Sequence, residues 1–235
     1  MKISKNDFIE IEFTGKIVGT EEVFDTNIKK DAEKAGLDVK KIRPFVLAIG
    51  HKMLPAGFDK DLEGKEVGKD YFVEIKPEEG FGKRDPQMVR MIPTKLFHEQ
   101  EINPQRGMQL TLDGQLVKVL SSSGGRTLID FNNPLAGKKI SYDYKINKKI
   151  GDVNEKVDAL QDFLFRQKFE FEVLDKKVIF KVEKNYEQFV KMFSSKFEEI
   201  LGLKIESNIV APKGVPSDEE KKKEDSRKEE SNVAE

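Results

Sequence analysis

Four short motifs with aromatic residues lie on either side of a segment of different character, residues 85–132. The motifs are residues 19–26 (GTEEVFDT), 44–64 (PFVLAIGHKMLPAGFDKDLEG), 75–82 (IKPEEGFG) and 132–146 (NNPLAGKKISYDYKI). Aromatic side chains from four motifs of one domain would line a single apolar cup around one carboxylate, that of Asp25. In that arrangement the two ends of the intervening segment lie close together, as in insertions within exposed loops.

Composition excludes several classes of function. At 235 residues the chain is long enough for two or three modules, and its 42 Lys and Arg against 43 Asp and Glu create no field that attracts nucleic acid or a membrane surface. The absence of cysteine excludes disulfides and thiol catalysis, and His51 and His98 are isolated, so no metal site is expected. Without a signal peptide or an apolar run of roughly 18 to 20 residues, a cytoplasmic location is expected.

The first part of the chain combines strand patterns with short helices. Residues 7–18 (DFIEIEFTGKIV) alternate apolar and polar side chains, which predicts a half-buried strand. Residues 27–40 are charged and helix-prone, and Gly36 suits a helix end. Pro44 restarts an extended segment. Residues 55–62 suit a short helix with Phe58 and Leu62 on one side, and residues 71–75 are strand-like.

The later segments predict two more modules. In residues 85–132 a helical turn and three short strands indicate a small, mostly β domain; they are expected at 93–98, 108–112, 116–120 and 127–131. Residues 151–211 predict an α+β domain, in which Asp152 and Glu155 begin a helix and residues 169–173 and 178–182 form a hairpin. One amphipathic helix is expected at 186–200, followed by a last strand at 203–209. The charged residues 212–235 are expected to be disordered.

The order and spacing of the four motifs resemble FKBP-type peptidyl-prolyl cis-trans isomerases. Residues 85–132 resemble the insert-in-flap domain of SlyD-type members, through VRMIPTKLF and PLAG, and the whole arrangement is similar to long-chain archaeal members. The resemblance implies an α+β fold, an antiparallel β-sheet wrapped on a short helix, with an inserted mostly-β domain and a C-terminal α+β domain. The isomerase domain would be discontinuous, formed by residues 1–84 and 133–150.

The resemblance also assigns roles to residues of the cup. It gives the catalytic residues as Asp25, Phe24, Phe81 and Tyr142, and the substrate-binding residues as Phe13, Phe45, Leu54, Pro55 and Phe58. Phe58, the floor, stands where many members have tryptophan. Phe81 replaces a tyrosine whose hydroxyl usually reaches the ligand, and Pro55 replaces a backbone donor. Because such hydrogen bonds are worth about 0.5 to 1.5 kcal/mol each, weaker binding of macrolide inhibitors is expected.

An aromatic cup is a reasonable catalyst for this reaction on physical grounds. Rotation about an amide bond faces a barrier of about 18 to 20 kcal/mol, because the twisted amide loses conjugation. The twisted amide has less charge separation than the planar one, so a dry, apolar pocket favours it. No cofactor, metal or nucleophile is required, and Asp25 would orient the substrate rather than act as a general base.

The segment 85–132 carries more apolar residues than a domain of its size easily buries. The residues assigned to binding of unfolded chains are Met88, Met91, Ile92, Leu96, Phe97 and Met108. An ordinary small core is the alternative for them. The expected partners are unfolded polypeptides with X-Pro bonds, and the sequence leaves open self-association through the C-terminal domain. A holdase with a vestigial pocket is the rival function, whereas a hydrolase lacks a paired carboxylate, a histidine or a nucleophile beside Asp25.

Overall fold

The computed structural model describes residues 2–211 of the chain, so the tail that is expected to be disordered lies outside the described residues. The chain separates into two compact units, Met1–Lys149 and Ile150–Glu235. Mainly antiparallel sheets and short helices make up the structure, which confirms the α+β class. No helix in the described part is long and apolar enough to cross a bilayer.

The strands are β1 (Phe8–Ile17), β2 (Val23–Thr26), β3 (Phe45–Ala48), β4 (Asp70–Ile75), β5 (Val89–Pro93), β6 (Gln109–Leu112), β7 (Gln115–Ser123), β8 (Arg126–Asp130), β9 (Ile140–Ile150), β10 (Glu170–Leu174), β11 (Lys177–Val182) and β12 (Lys204–Ile209). The α-helices are α1 (Lys29–Ala35), α2 (Ala56–Leu62), α3 (Thr94–His98), α4 (Val153–Leu164), α5 (Glu187–Lys191) and α6 (Ser194–Leu201). Single 3-10 turns cover Val39–Lys41, Pro77–Glu79, Pro86–Met88 and Lys184–Tyr186.

The main sheet has the strand order β2-β1-β9-β4, and β3 pairs with the remaining part of β1. Strand β1 pairs antiparallel with β2 and β3, and β9 pairs antiparallel with β4. The two longest strands of the sheet, β1 and β9, lie side by side at its centre. Helix α2 presents Phe58 and Leu62 as fully buried side chains, which confirms the short helix expected there. Helix α1 ends at Gly36, whose φ of 70° is the left-handed conformation that glycine adopts most easily.

Residues 85–132, which we name the insert, form a second sheet with the order β5-β8-β7-β6. Strand β5 was not expected from the sequence; it is an edge strand that pairs with β8, and Pro93, which lacks a backbone donor, is tolerated at its end. The two ends of the insert lie together, as expected. The backbone N–H of Asp85 donates to Asn132 Oδ1 at 2.8 Å, and Asn132 Nδ2 donates to the carbonyl of Asp85 at 2.9 Å.

The C-terminal unit holds the predicted hairpin, with β10 and β11 paired antiparallel around a turn in which Asp175 has a φ of 53°. Strand β12 then pairs in parallel with β11. The single amphipathic helix expected at 186–200 is wrong, because the chain forms α5 and α6 with a break at Phe193. Two serines, weak helix formers, follow the break, and the ring of Phe193 packs against Phe165 at 5.3 Å.

Candidate active site

Aromatic side chains from all four motifs meet in one cluster. This aromatic cup consists of Phe13, Phe24, Phe45, Phe58, Phe81 and Tyr142. Phe13 on β1 is central, with ring centroids 5.9 Å from both Phe45 and Tyr142, and each of these pairs is edge-to-face. Edge-to-face packing aligns the positive edge of one ring with the negative face of another, which stabilises a fixed arrangement of rings.

The floor of the cup is the stacked pair Phe58 and Tyr142, with centroids 4.4 Å apart. Phe58 is fully buried and Tyr142 is 2% exposed, so water reaches little of the floor. The outer wall is Phe24, which lies 5.7 Å from Tyr142 and 5.9 Å from Phe81, again edge-to-face. Phe24 and Phe81 are half-buried, so the cup opens to solvent on their side.

Asp25 lies beside this opening, directly after Phe24 on β2. The residue as a whole is exposed, so the cup does not enclose Asp25 as expected, although its carboxyl group is partly shielded from water. The surrounding protein still affects its carboxyl: burial raises the pKa of Asp25, and a hydrogen bond from the backbone N–H of Thr26 opposes that rise. Burial raises the pKa of Tyr142, and the negative charge of Asp25 raises it further.

The hydroxyl of Tyr142 has no hydrogen-bond partner among residues 2–211. It is not fully enclosed either, because Ser207 Oγ is the single buried side-chain polar atom without a partner in that range. A donor is therefore available at the floor of an otherwise apolar cup. Phe81 carries no hydroxyl, so the donor of this site is the hydroxyl of Tyr142 at the floor and not the residue at position 81.

Leu54 and Pro55 lie half-buried between β3 and α2, on a loop that a buried carboxylate holds in place. Asp59, 6% exposed, accepts hydrogen bonds from the backbone N–H of Gly50 at 2.9 Å and of Lys52 at 3.1 Å. Lys52 has a φ of 57°, which a residue with a side chain rarely adopts without such support. Asp59 thus positions the loop that borders the cup.

Comparison with known proteins agrees with this geometry. The family described as FKBP-type peptidyl-prolyl cis-trans isomerase matches residues 1–99, and the one described as FKBP26, IF domain matches residues 90–135. The short-type peptidyl-prolyl cis-trans isomerase of Methanocaldococcus jannaschii is 30% identical over 146 residues, which are 61% of this chain and 92% of that relative. The chain belongs to the FKBP-type peptidyl-prolyl cis-trans isomerase family.

Bacterial relatives of this FKBP-type isomerase carry the name SlyD. The FKBP-type peptidyl-prolyl cis-trans isomerase SlyD of Haemophilus influenzae is 32% identical over 111 residues, 44% of this chain and 56% of the relative. SlyD of Aeromonas hydrophila is 29% identical over 150 residues, 62% of this chain and 64% of the relative. The isomerase therefore spans less than two thirds of either SlyD protein.

Sequence reasoning missed one residue of the isomerase cup that has no side chain. A Cβ atom added to Gly15 would lie 2.7 Å from the rings of both Phe24 and Tyr142. The rings of Phe24 and Tyr142 both approach the backbone of β1 at this position, so glycine is required there. The signal was present in the sequence, since a glycine in the interior of a predicted strand often marks a close approach of another group.

The insert of the isomerase exposes some of the residues assigned to binding unfolded chains and buries others. Met91 is 59% exposed, Leu96 51% and Met108 40%, whereas Met88 is half-buried. Phe97 is 3% exposed and belongs to the insert core with Val117, Val119 and Ile129, so its assignment to a binding surface is wrong. Ile92 packs against the same core.

Metal binding has no support in the described part of the isomerase. In residues 2–211 no three His, Cys, Asp or Glu side chains are grouped in a way that could hold a metal ion. His51 Nε2 instead lies 2.9 Å from Asn6 Oδ1 in a hydrogen bond.

Proposed function

We propose that this FKBP-type isomerase accelerates rotation about X-Pro bonds of unfolded or partly folded polypeptides in the aromatic cup. The observation that carries the proposal is the convergence of rings from four separate motifs on Phe13 and Tyr142. A proline ring fits an apolar enclosure of this kind. The insert would hold the polypeptide beside the cup through its exposed apolar side chains.

The cup acts by surrounding the bond that rotates, without covalent chemistry. Uncatalysed X-Pro isomerisation takes tens to hundreds of seconds, because the planar amide is stabilised by conjugation. A buried floor that excludes water favours the less charge-separated, twisted amide. Removing about 5 to 7 kcal/mol from the barrier corresponds to roughly four to five orders of magnitude in rate.

Asp25 and Tyr142 supply the polar contacts of the reaction. The Tyr142 hydroxyl donates a hydrogen bond to a carbonyl oxygen of the bound polypeptide. The carboxylate of Asp25, whose charge acts on that hydroxyl, orients the substrate electrostatically. It accepts a hydrogen bond from the substrate. Neither residue gains or loses a proton in this mechanism, and no intermediate is formed.

The insert contributes substrate binding. Met91, Leu96 and Met108 are exposed on it, and flexible methionine side chains adapt to many apolar partners. A polypeptide held there presents its X-Pro bonds to the cup at a high effective concentration, so weak binding by the insert multiplies turnover. Short peptides, which do not reach the insert, gain nothing from it.

The test of the catalytic proposal is the cis-to-trans relaxation of a short Leu-Pro peptide with catalytic amounts of the full chain. We expect acceleration by the parent protein and a lower kcat/KM for Asp25→Ala. Asp143→Ala is the matched control, because Asp143 is an exposed aspartate of the same sheet that pairs with Lys16. Unchanged kcat/KM in Asp25→Ala would remove Asp25 from the mechanism.

The Asp25→Ala variant should fold. Burial raises the pKa of the Asp25 carboxyl, so the folded state disfavours the ionised form. The contribution of Asp25 to the stability of the parent therefore falls as the pH rises from the ordinary value of 3.8 through the raised pKa, and the variant lacks this contribution. No acceleration by the parent, together with suppressed aggregation of a denatured client, would favour a holdase with a binding pocket in place of an enzyme.

A further inference from the structure

A groove of about 800 Å³ runs between the insert and strand β2 of the isomerase domain. Phe24, the outer wall of the aromatic cup, also lines this groove, so the groove begins where the cup ends. Its other apolar side chains include Val23, Leu116 and Leu120. Its volume is typical of sites that bury a ligand rather than of a crevice between packed elements.

The borders of the groove suit an extended polypeptide. One border is β2, an outer strand that pairs only with β1 among the strands of the described chain. The opposite border is β7, of which Leu116, Val117, Lys118 and Leu120 line the groove; Val117 is 2% exposed and belongs to the insert core. The three that solvent reaches, Leu116, Lys118 and Leu120, lie at every second position. This spacing matches the repeat of an extended chain, and the three cover about 13 Å at 3.3 Å per residue.

The groove carries an excess of positive charge. Lys118 and Lys138 line it, and neither has a carboxylate within ion-pair distance in residues 2–211. Its third cation, Arg84, is already engaged: Arg84 Nη2 donates to Asp130 Oδ2 at 2.7 Å. Of the two acidic residues that line the groove, Glu22 and Asp130, only Glu22 is therefore left to balance two lysines.

Hydrogen bonds at the base of the insert connect three residues that line the groove, Arg84, Asp130 and Asn132. Besides the Arg84–Asp130 pair, Asn132 Nδ2 donates to Asp130 Oδ1 at 2.7 Å. Burial disfavours the ionised form of Asp130, but the hydrogen bonds from Asn132 and Arg84 outweigh it and lower the pKa of Asp130. A charged, multiply bonded carboxylate at this position ties the end of β8 to Arg84, the residue that precedes the insert in the chain.

We propose that this groove binds the extended polypeptide segment next to the proline that occupies the cup, with apolar side chains against Leu116 and Leu120 and an acidic side chain against Lys118. The inference rests on the proposed isomerase function and adds a preference to it. Substrates with an acidic residue a few positions from the proline are selected over substrates with a basic one.

The test compares peptides that reach the groove with one that does not. The short probe is a tetrapeptide with a central Leu-Pro bond. The long probes carry six further residues on one side or the other of the proline, with alternating leucine and a variable residue that is aspartate, lysine or serine. Full-length protein is used, and both KM and binding by fluorescence anisotropy are measured at low and high salt.

We expect the aspartate peptide of one of the two series to bind about two- to fivefold more tightly than the lysine peptide, the range for exposed ion pairs, and salt to reduce the difference. Lys118→Glu should reverse the preference. Leu116→Ser should weaken binding of all long peptides in that series. Lys95→Glu, an exposed lysine elsewhere on the insert, is the matched control and should change none of these values.

Equal binding of aspartate and lysine peptides in both series, or a preference that survives Lys118→Glu, would overturn the groove proposal. Failure to accelerate the tetrapeptide would instead contradict the isomerase function. The anisotropy measurement decides about the groove in either case, because it does not depend on turnover.

Discussion

Tyr142 combines two roles that are usually divided between residues. Its ring stacks on Phe58 as the floor of the cup, while its hydroxyl is free of partners in the described chain. Tyr144, two residues later on β9, shows the contrast, since its hydroxyl donates to Asp61 at 2.6 Å. The neighbouring hydroxyl is thus used for structure, and that of Tyr142 remains available to a substrate.

Removing only the Tyr142 hydroxyl should therefore affect the reaction and spare the fold. We expect Tyr142→Phe to lower kcat/KM for a short Leu-Pro peptide about two- to tenfold, the value of one hydrogen bond of 0.5 to 1.5 kcal/mol. Tyr144→Phe is the matched control and should lower thermal stability, because it removes a hydrogen bond to a carboxylate. An unchanged kcat/KM in Tyr142→Phe would show that the hydroxyl does not contact the substrate.

The insert is the element with the smallest core. Phe97, Val117, Val119 and Ile129 are its buried hydrophobic cluster, supported by half-buried neighbours such as Ile92. With so few buried side chains, its stability depends strongly on each of them. The main sheet, with β1 and β9 at its centre, has a separate set of buried residues and does not depend on this cluster.

Truncating the largest side chain of the insert core should unfold the insert selectively. Phe97→Ala is expected to lower the free energy of unfolding of the insert by about 3 to 5 kcal/mol, which is more than a core of this size supplies. Hydrogen exchange would then show loss of protection in β6, β7 and β8, with β1 and β9 unchanged. The control is Leu96→Ala, at the exposed neighbouring residue. Its free energy of unfolding should stay within about 0.5 kcal/mol of that of the parent. Joint loss of protection in both sheets would contradict the independence of the insert.

The elements differ in how well the sequence predicted them. The alternation of apolar and polar side chains predicted the strands of the main sheet, and the spacing of Phe58 and Leu62 predicted α2. Strand β5 was missed because its pairing with β8 is not visible locally. Phe97 was placed on a surface because a helix of one or two turns has too little periodicity to show its buried face. The hydrogen bonds of Asp59 with Gly50 and Lys52, nine and seven positions away in the chain, carry no sequence signal.

On the scale of the whole molecule, the cup and the insert lie in one compact unit, Met1–Lys149. Catalysis and polypeptide binding are assigned to different surfaces within it. Exposed residues of the insert, such as Met91 and Leu96, take no part in the core of either sheet. The two activities should therefore separate by mutation.

The double variant Met91→Ser, Leu96→Ser should keep the parent kcat/KM on a short Leu-Pro peptide. On a protein whose refolding is limited by proline isomerisation, its catalytic efficiency should fall at least about tenfold, because the tethering advantage is lost. Leu174→Ser, an equally exposed leucine of the C-terminal unit, is the control. Equal loss on peptide and protein substrates would refute the division between the two surfaces.

The position of β9 has a consequence for the order in which the protein is made on the ribosome. Strand β9 lies between β1 and β4 in the main sheet, yet it follows the insert in the chain. When the insert has been synthesised, β1 and β4 still lack the strand that joins them, and Tyr142 has not been added. The insert holds both partners of each of its strand pairs, β5–β8, β8–β7 and β7–β6, and is therefore able to fold first. A nascent chain thus carries a complete polypeptide-binding insert before it has an active site.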